Sequence, residues 1–147
     1  MKQFKLLIST LLLGLFILSC TTGQTETTAV TINKSAAINY VALTQKMTQL
    51  KALALTAQDM QAEDKELFGD FHIIFCGKDV AILSDAELIT PYVEMIQNAG
   101  GKLFACGFSL TQFEVDQSSL ANGIGVIENG LTYSLQMKKN GAYSIDQ

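Results

Sequence analysis

Two stretches of this chain read alike: HIIFCGK at positions 72–78 and KLFACGF at 102–108. In each, a run of apolar and aromatic residues closes on a cysteine and then a glycine, and Cys76 and Cys106 lie 30 positions apart. That interval is about the length of one βαβ unit. Runs that are apolar on both faces are what parallel sheets bury. The repeated pattern therefore calls for an α/β domain with both thiols at one edge of its sheet. The carboxyl ends of parallel strands are where ligands and reactive groups collect, which makes Cys106, at the glycine turn of KLFACGFSL, the candidate reactive atom.

The first 19 residues stand apart from such a domain. Lys2 and Lys5 form a basic start, and Leu6 to Leu18 is a nearly unbroken apolar run of about 13 residues, short of the ~20 a permanent membrane helix needs. This is the pattern of an export signal. Ile17-Leu18-Ser19-Cys20 resembles a bacterial lipobox, in which the cysteine thiol receives a diacylglycerol and becomes the mature N-terminus; the other reading is an ordinary secretory signal with an incidental cysteine. A lipidated Cys20 would hold the chain at a bacterial membrane, facing the periplasm or the cell exterior. Positions 20–37 are rich in threonine and poor in large apolar residues, as a tether would be. One domain is expected from 38 to 147.

Charge and cysteine usage narrow the function classes. The chain has 10 lysines and no arginine against 14 acidic residues, and loss of Lys2 and Lys5 leaves a formal charge of −6. Without arginine to grip phosphate, nucleic-acid binding is excluded as a working reading. The export signal leaves Cys76 and Cys106 in an oxidising compartment, where they either form a disulfide or are kept reduced for chemistry.

Along the domain, INYVALT at 38–44 fits either a strand or the start of a longer helix. Leu50, Leu53, Ala54 and Ala57 recur at helical spacing, so an amphipathic helix is expected from Met47 to about Glu63. DFHIIFC at 70–76 is expected to be a buried strand. A second helical stripe, Leu88, Ile89, Tyr92, Val93, Ile96 and Ala99, ends at Gly100-Gly101. Because proline suits the first turn, that helix is expected to open with Thr90 as N-cap and Pro91 behind it, leaving 85–89 as a separate turn. Lys102–Cys106 is the next strand. Gly107–Ala121 is mixed, with at most a helical turn at 117–120. Ile124–Ile127 is a short strand, Asn129 caps a helix to Lys139, and 142–145 adds a last strand.

A thiol becomes a nucleophile when its thiolate is favoured, and the backbone N–H groups of Gly107 to Ser109 are placed to do that for Cys106. The Ser109 hydroxyl and Lys78 are further candidate supports, Lys78 being more simply a solvated loop residue. Glu128, at the end of the fourth strand, is read as a surface acid. Cys76 is either a buried small hydrophobe or a second thiol of the site. His72 shares a strand face with Cys76, but no closely spaced ligand pair such as CxxC accompanies it, so no metal is expected. No phosphate-binding, serine-hydrolase or dinucleotide motif is present, and no cofactor is implied.

The stretches DFHIIFCGKDVAIL, KLFACGFSL and GVIENGLTYSLQMKKNGAY, within a region from about Tyr40 to the C-terminus, resemble the DsrE/DsrF-like family of sulfur-relay subunits. The resemblance favours a strand at 38–44, giving the order β-α-β-α-β-β-α-β. That order corresponds to a three-layer α/β/α sandwich with a mainly parallel sheet of about five strands. It further implies a homo-oligomer and a cysteine persulfide carried where Cys106 stands, exchanged with a sulfur donor or acceptor protein or a small sulfur compound. The chain departs from the family in two respects. Cys76-Gly77 replaces a common His-Gly, and an export signal precedes a domain whose sulfur-relay relatives are cytoplasmic. Two other functions compete with sulfur carriage: a non-catalytic oligomeric binding module, and a thiol redox protein cycling Cys76 and Cys106.

Overall fold

The computed structural model describes residues 37–146. The expected signal segment, the candidate lipidation site Cys20 and the tether as far as position 36 lie outside the described residues. The domain consists of β1 (Ile38–Thr44), α1 (Leu50–Asp64), β2 (Phe68–Phe75), α2 (Ala86–Asn98), β3 (Gly101–Cys106), α3 (Gly107–Gln112), β4 (Ile124–Ile127), α4 (Gly130–Lys139) and β5 (Tyr143–Asp146). The five strands pair in the order β4-β3-β2-β1-β5, every pair parallel. The strand at 38–44 and the three-layer α/β/α architecture are as the sequence suggests.

The layers follow from strand order and from the handedness of crossovers. Moving from β1 to β4 the chain steps in one direction across the sheet, and right-handed crossovers put the intervening helices on one face. The step from β4 back to β5 reverses direction, so α4 lies on the other. Side-chain alternation in β2 serves both layers. Phe71, Ile73 and Phe75 are fully buried in the cluster that contains Leu53, Ala57, Ile89, Val93 and Ile96 of α1 and α2. Ile74 belongs to the opposite, smaller cluster with Val41 and Cys106, against which Tyr133 and Met137 of α4 pack. Each such side chain contributes about 1.5–3 kcal/mol by leaving water. Within α1, the whole stripe of Leu50, Leu53, Ala54 and Ala57 is buried.

Two expectations require correction. The second helix does not open at Thr90: α2 starts at Ala86, with the Asp85 carboxylate accepting the Leu88 N–H at 3.1 Å, and Pro91 sits inside it. The Asp85 cap satisfies a free N–H that the alternative start would have left to water, and with the burial of Ile89 in the added turn it offsets the hydrogen bond lost at Pro91. The early start also rotates Leu88 outward, 42 % exposed, and leaves Ile89, Val93 and Ile96 as the buried stripe. The region after β3 is more regular than expected. It contains α3, so a helix separates β3 from β4 in the element order. GFSLTQ spans under two turns, too short for periodicity to register.

These assignments set opposite effects for two neighbouring substitutions. Asp85→Ala is expected to lower unfolding free energy by about 1 kcal/mol through loss of the cap. Pro91→Ala, at an exposed position, is expected to raise it by about 1–2 kcal/mol by restoring a helical hydrogen bond, net of the greater freedom of the unfolded chain. Urea unfolding of the two variants checks both signs.

Candidate functional site

The paired strand ends meet as the repeated motif requires. β2 and β3 are neighbours, with Phe75 opposite Ala105, so Cys76 and Cys106 follow at adjacent carboxyl ends. Cys106 is the last residue of β3, whereas Cys76 lies one position beyond β2. Both side chains fall on the α4 face, among the groups packed with Val41 and Ile74. Both thiols are free, Cys106 buried at 4 % exposure and Cys76 half-buried.

What the motif does not show is the arrival of α4. Its first residue, Gly130, packs against both cysteines, and its N–H donates to Cys106 Sγ at 3.3 Å. The Asn129 side chain takes the next two N–H groups, of Leu131 and Thr132, at 3.0 and 3.2 Å. Sulfur and amide together thus cap the positive end of the α4 dipole. No side chain fits at this position: a Cβ on Gly130 would lie 2.7 Å from Ile74 Cγ2 and 2.8 Å from Cys76 Sγ.

Cys106 is held from the other side by the first turn of α3. Burial works against its ionisation, but the N–H of Gly130, the N–H and hydroxyl of Ser109 and the Cys76 thiol outweigh it and bring Cys106 below the ordinary thiol value. Ser109 is itself anchored, its Oγ accepting the Gly77 N–H at 2.9 Å, which leaves the hydroxyl proton for the sulfur. Gly77 reaches this position with φ of +86°, a conformation glycine adopts without strain. Cys76 moves the opposite way. Burial, the negative charge on Cys106 and the hydrogen bond given to it push the Cys76 thiol up to about 12. Of the two thiols Cys106 therefore gives up its proton first, and its sulfur is the better nucleophile.

Of the other candidates, Ser109 is part of the site. Gly107 starts α3 and packs against the backbone of Ile127 and Glu128, without touching the sulfur through its own N–H. Lys78 is exposed on the turn after β2 and is not among the groups that act on either sulfur. Glu128 is exposed, and its backbone carbonyl accepts the Phe108 N–H. His72 is buried two rungs below Cys76, where its Nδ1 shares a 2.8 Å hydrogen bond with the Tyr133 hydroxyl. The His72 ring stacks on Tyr133 and meets Phe104 edge-on. Its Nε2 is buried without a hydrogen bond, 3.7 Å from an Asp70 carboxylate oxygen that is bound to Lys102 at 2.6 Å. Among the described residues no three His, Cys, Asp or Glu side chains converge to hold a metal ion, and no helix is long and apolar enough to cross a membrane.

A cleft of about 410 Å³ opens between the carboxyl end of β1 and α4, lined by Leu43, Thr44, Cys76, Leu131, Ser134 and Leu135 among others. It reaches Cys76 and not Cys106. Gly130, Ser134 and the cleft escaped the sequence reading. The signal that was present is the Asn129-Gly130 pair: an N-cap followed by glycine at the first helical position, where a larger residue would serve the helix better.

No family model matches the chain, and no curated protein does. Among solved structures, it is similar to a protein of unknown function, MTH1491, from Methanobacterium thermoautotrophicum, with a TM-score of 0.61 at 16% identity, covering 76% of this chain and 99% of that one. It is also similar to a conserved protein of unknown function, BT1422, from Bacteroides thetaiotaomicron, with a TM-score of 0.57 at 20% identity, covering 74% and 94%. These likenesses establish the fold.

Two measurements probe the site. Gly130→Ala must push α4 outward, so it is expected to cost about 1–3 kcal/mol of stability. In a Cys76→Ser background it is also expected to raise the pKa of Cys106, read from thiolate absorbance during a pH titration. The second concerns His72, whose pKa is lowered, chiefly by burial and against the pull of Asp70. The unfolded chain then takes up a proton near the ordinary histidine value of about 6.5 while the folded one does not. The stability contribution is full above that pH and declines as pH falls below it. Urea midpoints at about pH 7.5 and about pH 5.5 should show the decline in the natural chain and a smaller one in His72→Gln.

Proposed function

We propose that this chain is a membrane-anchored DsrE-like sulfur carrier that forms a persulfide on Cys106. The observation that carries the reading is the Gly130 N–H donated to Cys106 Sγ at the start of α4, with a protonated thiol, Cys76, beside it. Such a sulfur is held as a better nucleophile than a free cysteine, and the same N–H suits a bound persulfide anion. In the loading step the Cys106 thiolate attacks the outer sulfur of a persulfide or polysulfide, R–S–SH. A new S–S bond forms on Cys106, the donor S–S bond breaks, and R–S⁻ leaves with the electron pair. An acceptor thiolate then takes the outer sulfur by the same exchange, and Cys106 returns as thiolate. Export, a lipid on Cys20, homo-oligomer formation and a donor or acceptor protein belong to the same proposal.

A second reading, a dithiol that cycles through a Cys76–Cys106 disulfide, draws on the adjacency of the two thiols on one sheet face. Neighbouring parallel strands run ~4.8 Å apart, a spacing a disulfide can bridge. Intact mass of the chain from its native compartment, before and after treatment with polysulfide, separates the two. Sulfur carriage is expected to add the mass of one sulfur, lost in Cys106→Ser and retained in Cys76→Ser. A chain two hydrogens lighter in which neither thiol alkylates would support the redox reading instead, and thiols that stay free and take up no sulfur would sink both.

A further inference from the structure

The cleft beside α4 has the features of a ligand site, and nothing in the sulfur exchange just described requires it. It lies at the carboxyl end of β1. There α4, which lies on the opposite face from α1, α2 and α3, packs across β1. Open parallel sheets bind ligands outside the carboxyl ends of their strands. Two of its walls are apolar and unusually bare: Leu131 and Leu135, one helical turn apart on α4, are 65 % and 60 % exposed. Between them on the helix, Ser134 is 1 % exposed, yet its Oγ has no hydrogen-bond partner. A buried hydroxyl left unpaired is costly, and this one borders the cleft. Lys138 borders it one turn further along, and Cys76 lines it too.

The geometry points to this cleft as the binding site for a small organic thiol and its persulfide, a molecule with a short aliphatic body and an anionic head. The body lies between Leu43, Leu131 and Leu135. The head accepts a hydrogen bond from Ser134 and is attracted by the charge of Lys138. The sulfur end then lies beside Cys76, where the neighbouring Cys106 thiolate attacks the outer sulfur, the donor S–S bond breaks and R–S⁻ leaves. The volume suits such a molecule, being within the usual range for small-ligand pockets. The inference rests on the sulfur-carrier reading for the direction of transfer and adds to it the chemical class of the donor. Loading follows the balance already given, with R–S⁻ released as the small thiol.

The test uses the full-length chain and two donors, the persulfide of 4-mercaptobutyrate and inorganic polysulfide. Calorimetric titration with 4-mercaptobutyrate itself is expected to show saturable binding, weakened about tenfold or more in Leu135→Asp and several-fold in Ser134→Ala. Loading of Cys106, followed by intact mass, is expected to slow in Leu135→Asp by about tenfold more with the organic persulfide than with polysulfide. Leu135 is largely exposed, so the variant is expected to fold, and its unfolding midpoint confirms this. Absence of binding by the natural chain, or equal slowing with both donors, would overturn the assignment of the cleft. Failure of both donors to load Cys106 in the natural chain would instead remove the sulfur-carrier reading, and the binding titration would still decide whether the cleft holds the thiol; loading by polysulfide alone would overturn the assignment of the cleft.

Discussion

The parallel register between β2 and β3 is the constraint on which the rest of this structure depends. With Phe75 opposite Ala105, the two following cysteines emerge side by side and on one face. A slip of one residue in either strand would reverse the alternation of that strand. In β2 it would turn Phe71, Ile73 and Phe75 out of the core beneath α1 and α2 and send the Cys76 sulfur to the opposite layer. The burial that stabilises the larger core is therefore the same burial that brings the thiols together. Site and fold are specified by one set of side chains.

Upon that register the opposing tendencies of the two sulfurs are built from environment alone. Burial raises the pKa of a thiol, and both are shielded. Cys106 escapes the consequence because backbone and hydroxyl donors converge on it from α3 and α4, while Cys76 has no such donors and faces the Cys106 charge. The difference requires α4 to approach closely enough for its first N–H to reach sulfur, and that approach requires glycine at position 130. One missing side chain thus couples helix packing to thiol chemistry. The smaller layer under α4 also leaves apolar surface on Leu131 and Leu135 uncovered, which is what gives the neighbourhood of Cys76 a cleft.

Much of the fold was legible because its signals are local. The apolar run at 70–76, the stripe of Leu50, Leu53, Ala54 and Ala57 and the Asn129 cap each act over a few residues and agree with the elements formed. Pro91 misled because a proline preference for the first turn is a weak prior, and a carboxylate cap at Asp85 six residues earlier prevailed. The α3 helix was missed because six residues carry no periodicity. In the site, Cys106, Cys76 and Ser109 were visible as residue types at a strand-to-turn position. Lys78 was suggested by its place in sequence beside Cys76, but the turn that follows Gly77 leaves it in solvent.

The sequence by itself determined that this is a parallel α/β domain and that its two cysteines end equivalent strands, because hydrophobic period, caps and breakers are properties of neighbouring residues. Only the tertiary structure decided that those strands are adjacent, which sulfur is favoured as thiolate, and that the donor to Cys106 comes from Gly130, 24 residues away in the chain. Likewise, the unpaired Ser134 hydroxyl and the cleft it borders arise where α4 crosses β1, a contact between segments with no local mark of each other. Hydrogen bonds and electrostatic fields depend on distance in space, and chain separation carries little information about that distance until the strand order is known.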